Sequence, residues 1–157
     1  MPNVIIRPAS SDADLDEVRR LFRAYADSLD FSLCFQDFDA ELADLPGKYT
    51  GAKRGCLLLG LVDGKVLGVV GLRDLGEGIA EMKRLYVAPE ARGLKLGLQL
   101  AEAVIEEARM LGYKALRLDT LQRMVEANRL YDHLGFSDIP AYYHNPMPDT
   151  RYRELKL

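Results

Sequence analysis

Apolar positions along the chain follow two rhythms. Short apolar, β-branched blocks at residues 4–6, Cys56–Val62, 66–72, Ile79–Val87 and 115–119 predict strands. Asp63-Gly64 joins the second and third blocks as a hairpin, Gly76 and Gly78 break the chain before the fourth, and Pro89 ends it. Other stretches place apolar residues at steps of three and four. Ser11 and Asp14 form a capping-box signature ahead of Leu15, Val18, Phe22, Tyr25 and Leu29, and a shorter helical stretch over 38–45 closes at Pro46-Gly47. Over residues 94–111, Gly97, Ala101, Val104, Ala108 and Leu111 share one stripe, while Gln99, Glu102, Glu106 and Arg109 share the opposite one; Gly112 caps the end. Met124, Ala127, Tyr131 and Leu134 mark a further helix ended by Gly135, and residues 136–139 and 152–157 complete the strands.

The resulting order, β, α, α, three consecutive strands, α, β, α, β, β, predicts a mixed α/β sheet with helices on it rather than a strict βαβ repeat. No repeat, low-complexity tract or linker interrupts it, so one domain is expected over 1–157. At 157 residues with 48% apolar and 29% charged side chains, such a domain buries roughly 70% of its unfolded surface and folds alone. A net charge of -3 opposes non-specific nucleic-acid binding, which depends on neutralising phosphates. The start has no basic region followed by an apolar run, and no stretch reaches the ~18 apolar residues of a membrane span, so no membrane partner and a cytoplasmic location are expected. Cys34 and Cys56 match no metal-ligand spacing and read as buried or incidental thiols; a Cys/His reading requires His133 or His144 beside one of them.

Chemistry concentrates after the fourth strand. Glu81-Met-Lys-Arg-Leu-Tyr-Val87 leads through Ala-Pro-Glu-Ala into Arg92-Gly-Leu-Lys-Leu-Gly97 at the mouth of the long helix. A strand, a tight glycine-containing loop and a helix N-terminus gather unpaired backbone N–H groups where the helix dipole also favours negative charge, which makes an anion cradle. The dinucleotide pattern G-x-G-x-x-G is absent, and no Gly-Lys-Ser/Thr is present to hold a nucleotide with magnesium. On spacing alone, Gly93 and Gly97 serve equally well a tight turn and close helix packing.

Taken with Asn128-Arg-Leu-Tyr131-Asp-His-Leu-Gly-Phe136, this segment resembles the GNAT N-acetyltransferase superfamily over roughly residues 56–136. The resemblance implies an acyl-CoA N-acyltransferase fold, with a central, mostly antiparallel twisted sheet flanked by helices. It also implies acetyl transfer from acetyl-CoA to a primary amine of a small molecule or peptide, by direct attack in a ternary complex without metal. The family loop reads Q/R-x-x-G-x-G/A; Arg92 and Gly97 match it, and Lys95 stands at the first glycine position. A helical Lys95 costs little there, whereas a positive φ strains it.

By the same resemblance, residues 92–97 (Arg92, Gly93, Leu94, Lys95, Leu96, Gly97) hold the CoA pyrophosphate, the backbone of Leu85, Tyr86 and Val87 pairs with the pantetheine arm, and the Asn128 amide contacts the cofactor. Tyr131 takes the general-acid position; its alternative is a core tyrosine. Glu81 takes the position of a basic carboxylate, against a salt-bridged strand glutamate. Tyr142, Tyr143 and Asn145 complete the acceptor pocket, or simply pack across a sheet edge. A small amine such as an amino acid or polyamine is expected over a protein N-terminus, and a homodimer is left open. The rival from another class is a non-catalytic acyl-CoA sensor that kept the cradle and lost the chemistry; a phosphate module without CoA leaves the Asn128 to Phe136 match unexplained.

Overall fold

Local signals place the elements. In this computed structural model, which describes residues 2–33 and 36–157, Ser11 Oγ accepts from the Asp14 amide and the Ser11 N–H donates to the Asp14 carboxylate, so the capping box starts the first long helix. In chain order the elements are β1 (Val4–Pro8), α1 (Asp12–Ser28), α2 (Phe38–Asp44), β2 (Cys56–Val62), β3 (Lys65–Gly76), β4 (Ile79–Val87), α3 (Leu96–Met110), β5 (Ala115–Leu121), α4 (Val125–Leu134), β6 (Ser137–Ile139) and β7 (Thr150–Lys156). The β2–β3 turn puts both Asp63 and Gly64 at positive φ, the conformation a two-residue type I′ hairpin needs.

The order predicted from the pattern holds, and helix α3 begins two residues later than its periodicity implied. Seven strands form one sheet in the order β1-β2-β3-β4-β5-β7-β6. Every neighbouring pair is antiparallel except β4–β5. That parallel pair spans only Ile79–Ala115, Ala80–Leu116 and Glu81–Arg117; beyond it the two strands part.

The cause of the parting lies in β4. Between Lys83, opposite Gly71, and Tyr86, opposite Val69, two residues of β4 face one of β3, and Arg84 within this bulge has φ 61°. Bulges bend and over-twist the strand that carries them. The Arg84 side chain is buried against Glu41 (Nε to Oε2, 3.1 Å) and lies 5.1 Å from the Phe38 ring centroid, so α2 holds the bulge in place.

The sheet is covered on both faces. Leu58, Val70, Leu72, Met82, Leu116 and Leu118 pack under α3 and α4, and Leu57, Leu59 and Val69 pack under α1 and α2 with Phe22, Phe38 and Tyr49. Gly60 and Gly68 pair directly across β2 and β3 beneath the first turns of α3. A Cβ on Gly60 would come within 2.7 Å of Leu96 Cδ1, and one on Gly68 within 2.7 Å of Leu100 Cδ1. These two glycines let the N-terminus of α3 sit low on the sheet. Gly68→Val is therefore expected to lower stability by about 1–3 kcal/mol through overpacking, read as a fall in the denaturant midpoint.

Candidate active site

The start of α3 is open to a ligand. Backbone N–H groups of Gly93, Lys95, Leu96, Gly97 and Leu98 make no hydrogen bond among the described residues, while Arg92 donates to Pro89 and Gln99 to Lys95. Gly93 has φ 86° with nothing near its Cα that a Cβ would touch, and Gly97 faces only Val87 Cγ2 at 3.7 Å. Lys95 caps the helix at φ 60° and ψ 25°, the left-handed region, so the strained alternative for this position is the one the backbone adopts. Arg92 and Lys95 are exposed cations without an ion pair among the described residues.

A cleft of about 580 Å³ runs from this loop between α1 and α4. Leu85, Tyr86 and Val87 line it alongside Arg92, Gly93, Lys95, Leu96 and Gly97. Among the described residues no strand pairs with the β5-facing edge of β4 past Glu81, which leaves that edge available to an extended ligand. Unpaired amides, exposed cations and an open strand edge are the donor set that a pyrophosphate carrying an amide-containing arm requires.

A second, smaller cavity of about 90 Å³ lies where β4 and β5 part. Its walls include Met82, Lys83, Leu118, Asp119, Asn145, and Phe31, Leu33 and Gln36 from the segment after α1. Tyr131 lines both spaces, together with Tyr25, Leu85, Met124 and Ala127. The tyrosine is 7% exposed and packs edge-on against Phe136 at 5.7 Å. Burial, with smaller contributions from Tyr25 and then Asp119, pushes its phenol above the ordinary value, which keeps the proton on oxygen at neutral pH.

Glu81 is fully buried and lines neither cavity. Its Oε1 accepts from Arg73 Nε at 2.7 Å and its Oε2 from the Tyr142 hydroxyl at 2.5 Å. Burial alone would raise this carboxyl, but Lys83, Arg73 and Tyr142 outweigh it and hold it below the usual range. The arrangement is that of the salt-bridged strand glutamate.

Asn128 is also buried and lines neither cavity. Its amide nitrogen donates to Leu121 O and Met124 O, both at 2.9 Å, tying the end of β5 to the start of α4, while Oδ1 is buried without a partner among the described residues. Of the three residues assigned to the acceptor, Asn145 lines the inner cavity, Tyr143 donates to Asp119 at 2.6 Å, and Tyr142 belongs to the Glu81 cluster. Burial pushes the Cys56 thiol up to about 12, which makes it inert; Cys34 lies outside the described residues, and His133 and His144 are exposed.

Lys83 and Asp119 escaped the sequence reading. Two signals marked them: a Lys-Arg pair inside a largely apolar central strand, and a carboxylate near the C-terminal end of a parallel strand, where α/β sheets bind ligands.

The profile of the acetyltransferase (GNAT) family matches residues 15–136. The chain belongs to this family. It is 40% identical to an uncharacterised N-acetyltransferase of Schizosaccharomyces pombe over 99% of this chain and 96% of that protein. Among solved structures, a GNAT-family acetyltransferase of Staphylococcus aureus superposes with a TM-score of 0.80 at 19% identity, covering 98% and 99% of the two chains. A Salmonella typhimurium protein solved with its cofactor acetyl-CoA superposes with a TM-score of 0.77 at 20% identity, covering 98% and 93%. The chain is thus a GNAT-type acetyltransferase, of a family that draws its acetyl group from acetyl-CoA. No described helix is long and apolar enough to cross a membrane.

Two tests follow from this geometry. Lys95→Gly removes the left-handed strain against a smaller entropic loss and is expected to raise stability by roughly 0.5–1 kcal/mol, measured by denaturant unfolding. Glu41 concerns acid stability. Burial by itself raises its carboxyl, but Arg84 and Lys48 bring it down to about 2. A folded pKa below the unfolded value of about 4.3 contributes stability above pH ~4.3, and this is lost as the pH falls toward 2. Glu41→Gln is expected to be less stable at pH 7 and to show a shallower loss across that window, measured by unfolding at stepped pH.

Proposed function

We propose that the chain acetylates the primary amine of a small molecule by direct attack on acetyl-CoA in a ternary complex, with Tyr131 as the donor to the departing sulfur. The observation that carries this reading is that two neighbouring spaces, a long cleft with the cradle at one end and a compact inner cavity, share Tyr131 in their walls. Two adjoining sites allow both substrates to be present at once, so that a bimolecular reaction proceeds in one pocket.

The N–H groups around Gly93 to Leu98 and the Arg92 and Lys95 side chains hold the pyrophosphate, and the β4 edge over Leu85, Tyr86 and Val87 takes the pantetheine arm. Asn128 acts through the junction of β5 and α4 that it braces. Bound acetyl-CoA supplies a thioester carbonyl as the electrophile. Tyr131, protonated at neutral pH, donates to the sulfur as the C–S bond breaks. Glu81 acts on the acceptor side through Tyr142 and Arg73 rather than by touching the amine, since both its oxygens are engaged.

Tyr131→Phe is expected to lower kcat by about 10²-fold or more, the usual scale of acid catalysis, with the CoA dissociation constant changed less than twofold. Gly97→Ala should bind CoA normally because a Cβ fits there, whereas Gly97→Leu should weaken binding by an order of magnitude or more. Thiol-release kinetics and calorimetric titration with CoA check both. Failure of the wild type to bind CoA at millimolar concentration overturns the reading.

A further inference from the structure

The inner cavity carries charge at two points. On the β5 side, Asp119 Oδ2 accepts from Tyr143 Oη at 2.6 Å and from Asn145 Nδ2 at 3.1 Å, and Oδ1 has no hydrogen bond among the described residues. On the β4 side, Lys83 Nζ donates to Gln36 Oε1 at 3.2 Å and stands 3.8 Å from Glu81 Oε1, an oxygen that Arg73 already holds at 2.7 Å. Both side chains line the cavity.

Lys83 belongs to a group of cations short of anions. Glu41 serves both Arg84 and Lys48, and Glu81 serves both Arg73 and Lys83. Within that group Lys83 makes the longest ion-pair contact, although its side chain is only 8% exposed. Burial lowers its ammonium, Glu81 partly restores it, and Arg84 lowers it again, leaving it at about 8. A buried cation with an incomplete set of anions is stabilised by a ligand carboxylate and destabilised by a ligand ammonium.

We infer that the acceptor is a free amino acid, whose carboxylate is anchored by Lys83 and whose amine is drawn to Asp119. This rests on the transfer reading above and narrows its substrate. A diamine would set its second cation against Lys83, and a protein N-terminus would bring no carboxylate next to its amine. The lining of the same cavity also includes the apolar Phe31, Leu33, Met82 and Leu118. In the reaction the ammonium sheds one proton through Asp119 to solvent, the N–C bond forms as the C–S bond breaks, and the second amine proton is balanced by the proton that reaches sulfur by way of Tyr131.

The test compares glycine, alanine, methionine and aspartate with their methyl esters and with 1,4-diaminobutane in thiol-release assays with acetyl-CoA. At least one free acid is expected to exceed its own ester, and the diamine, by 50-fold or more in kcat/KM. Lys83→Met should bring the acid-to-ester ratio to within about threefold, chiefly through the KM of the acid, and Lys83→Arg should restore part of it; CoA titration verifies that both variants are folded. Esters or diamine used as well as the acids, or a ratio that survives Lys83→Met, overturns the inference. If no amine is acetylated, the transfer reading fails by itself, and titration of the same amino acids into CoA-saturated protein decides the pocket. Binding that Lys83→Met abolishes supports the assignment, and no binding by the wild type overturns it.

Discussion

The separation of β4 from β5 after Glu81 and Arg117 is the constraint on which both cavities depend. Two parallel strands left to themselves would continue their ladder, because an unpaired edge inside a sheet leaves backbone groups without partners. What prevents this is the bulge at Arg84, a non-glycine residue at positive φ inside a central strand. The Arg84–Glu41 ion pair and the Phe38 ring fix it. Strand β4 before and within the bulge walls the inner cavity, and β4 after it walls the long cleft. Helix α2 supports the two spaces without lining either, through one carboxylate and one ring.

Helix α4 is held with comparable care. Asn128 ties its start to β5, and Arg153, 3% exposed on β7, reaches its far end through Asp132 at 2.5 Å and Phe136 O at 2.7 Å. Tyr131 sits between these braces with its ring locked against Phe136. The phenol makes no hydrogen bond among the described residues, and the residue lines both spaces. In the proposed mechanism, a donor held in advance needs little rearrangement during the reaction.

Periodicity exposed the elements because each has one buried side. The capping box at Ser11 and Asp14, the Asp63-Gly64 turn and the Gly135 cap are local, and each could be read from a few adjacent residues. The cradle was legible for the same reason, since Arg92 to Gly97 lie together in the chain. What stayed hidden depends on residues far apart. Tyr142 lies 61 positions from Glu81, so nothing near Glu81 reveals that its carboxylate is already occupied. Gln36 and Tyr143, 107 positions apart, meet at 3.2 Å over the inner cavity. Backbone conformation at Lys95 was equally out of reach, because two readings of one residue differ only in φ.

The close seating of α3 over Gly60 and Gly68 has an evolutionary consequence. Where a loop alone shapes an anion site, its glycines cannot drift without loss. Here Leu96 and Leu100 dock the helix start from beneath, so the direction of its amides is inherited from the sheet. The signature glycine can then be exchanged for a lysine at a modest, local cost, and the exchange adds a cation at the rim.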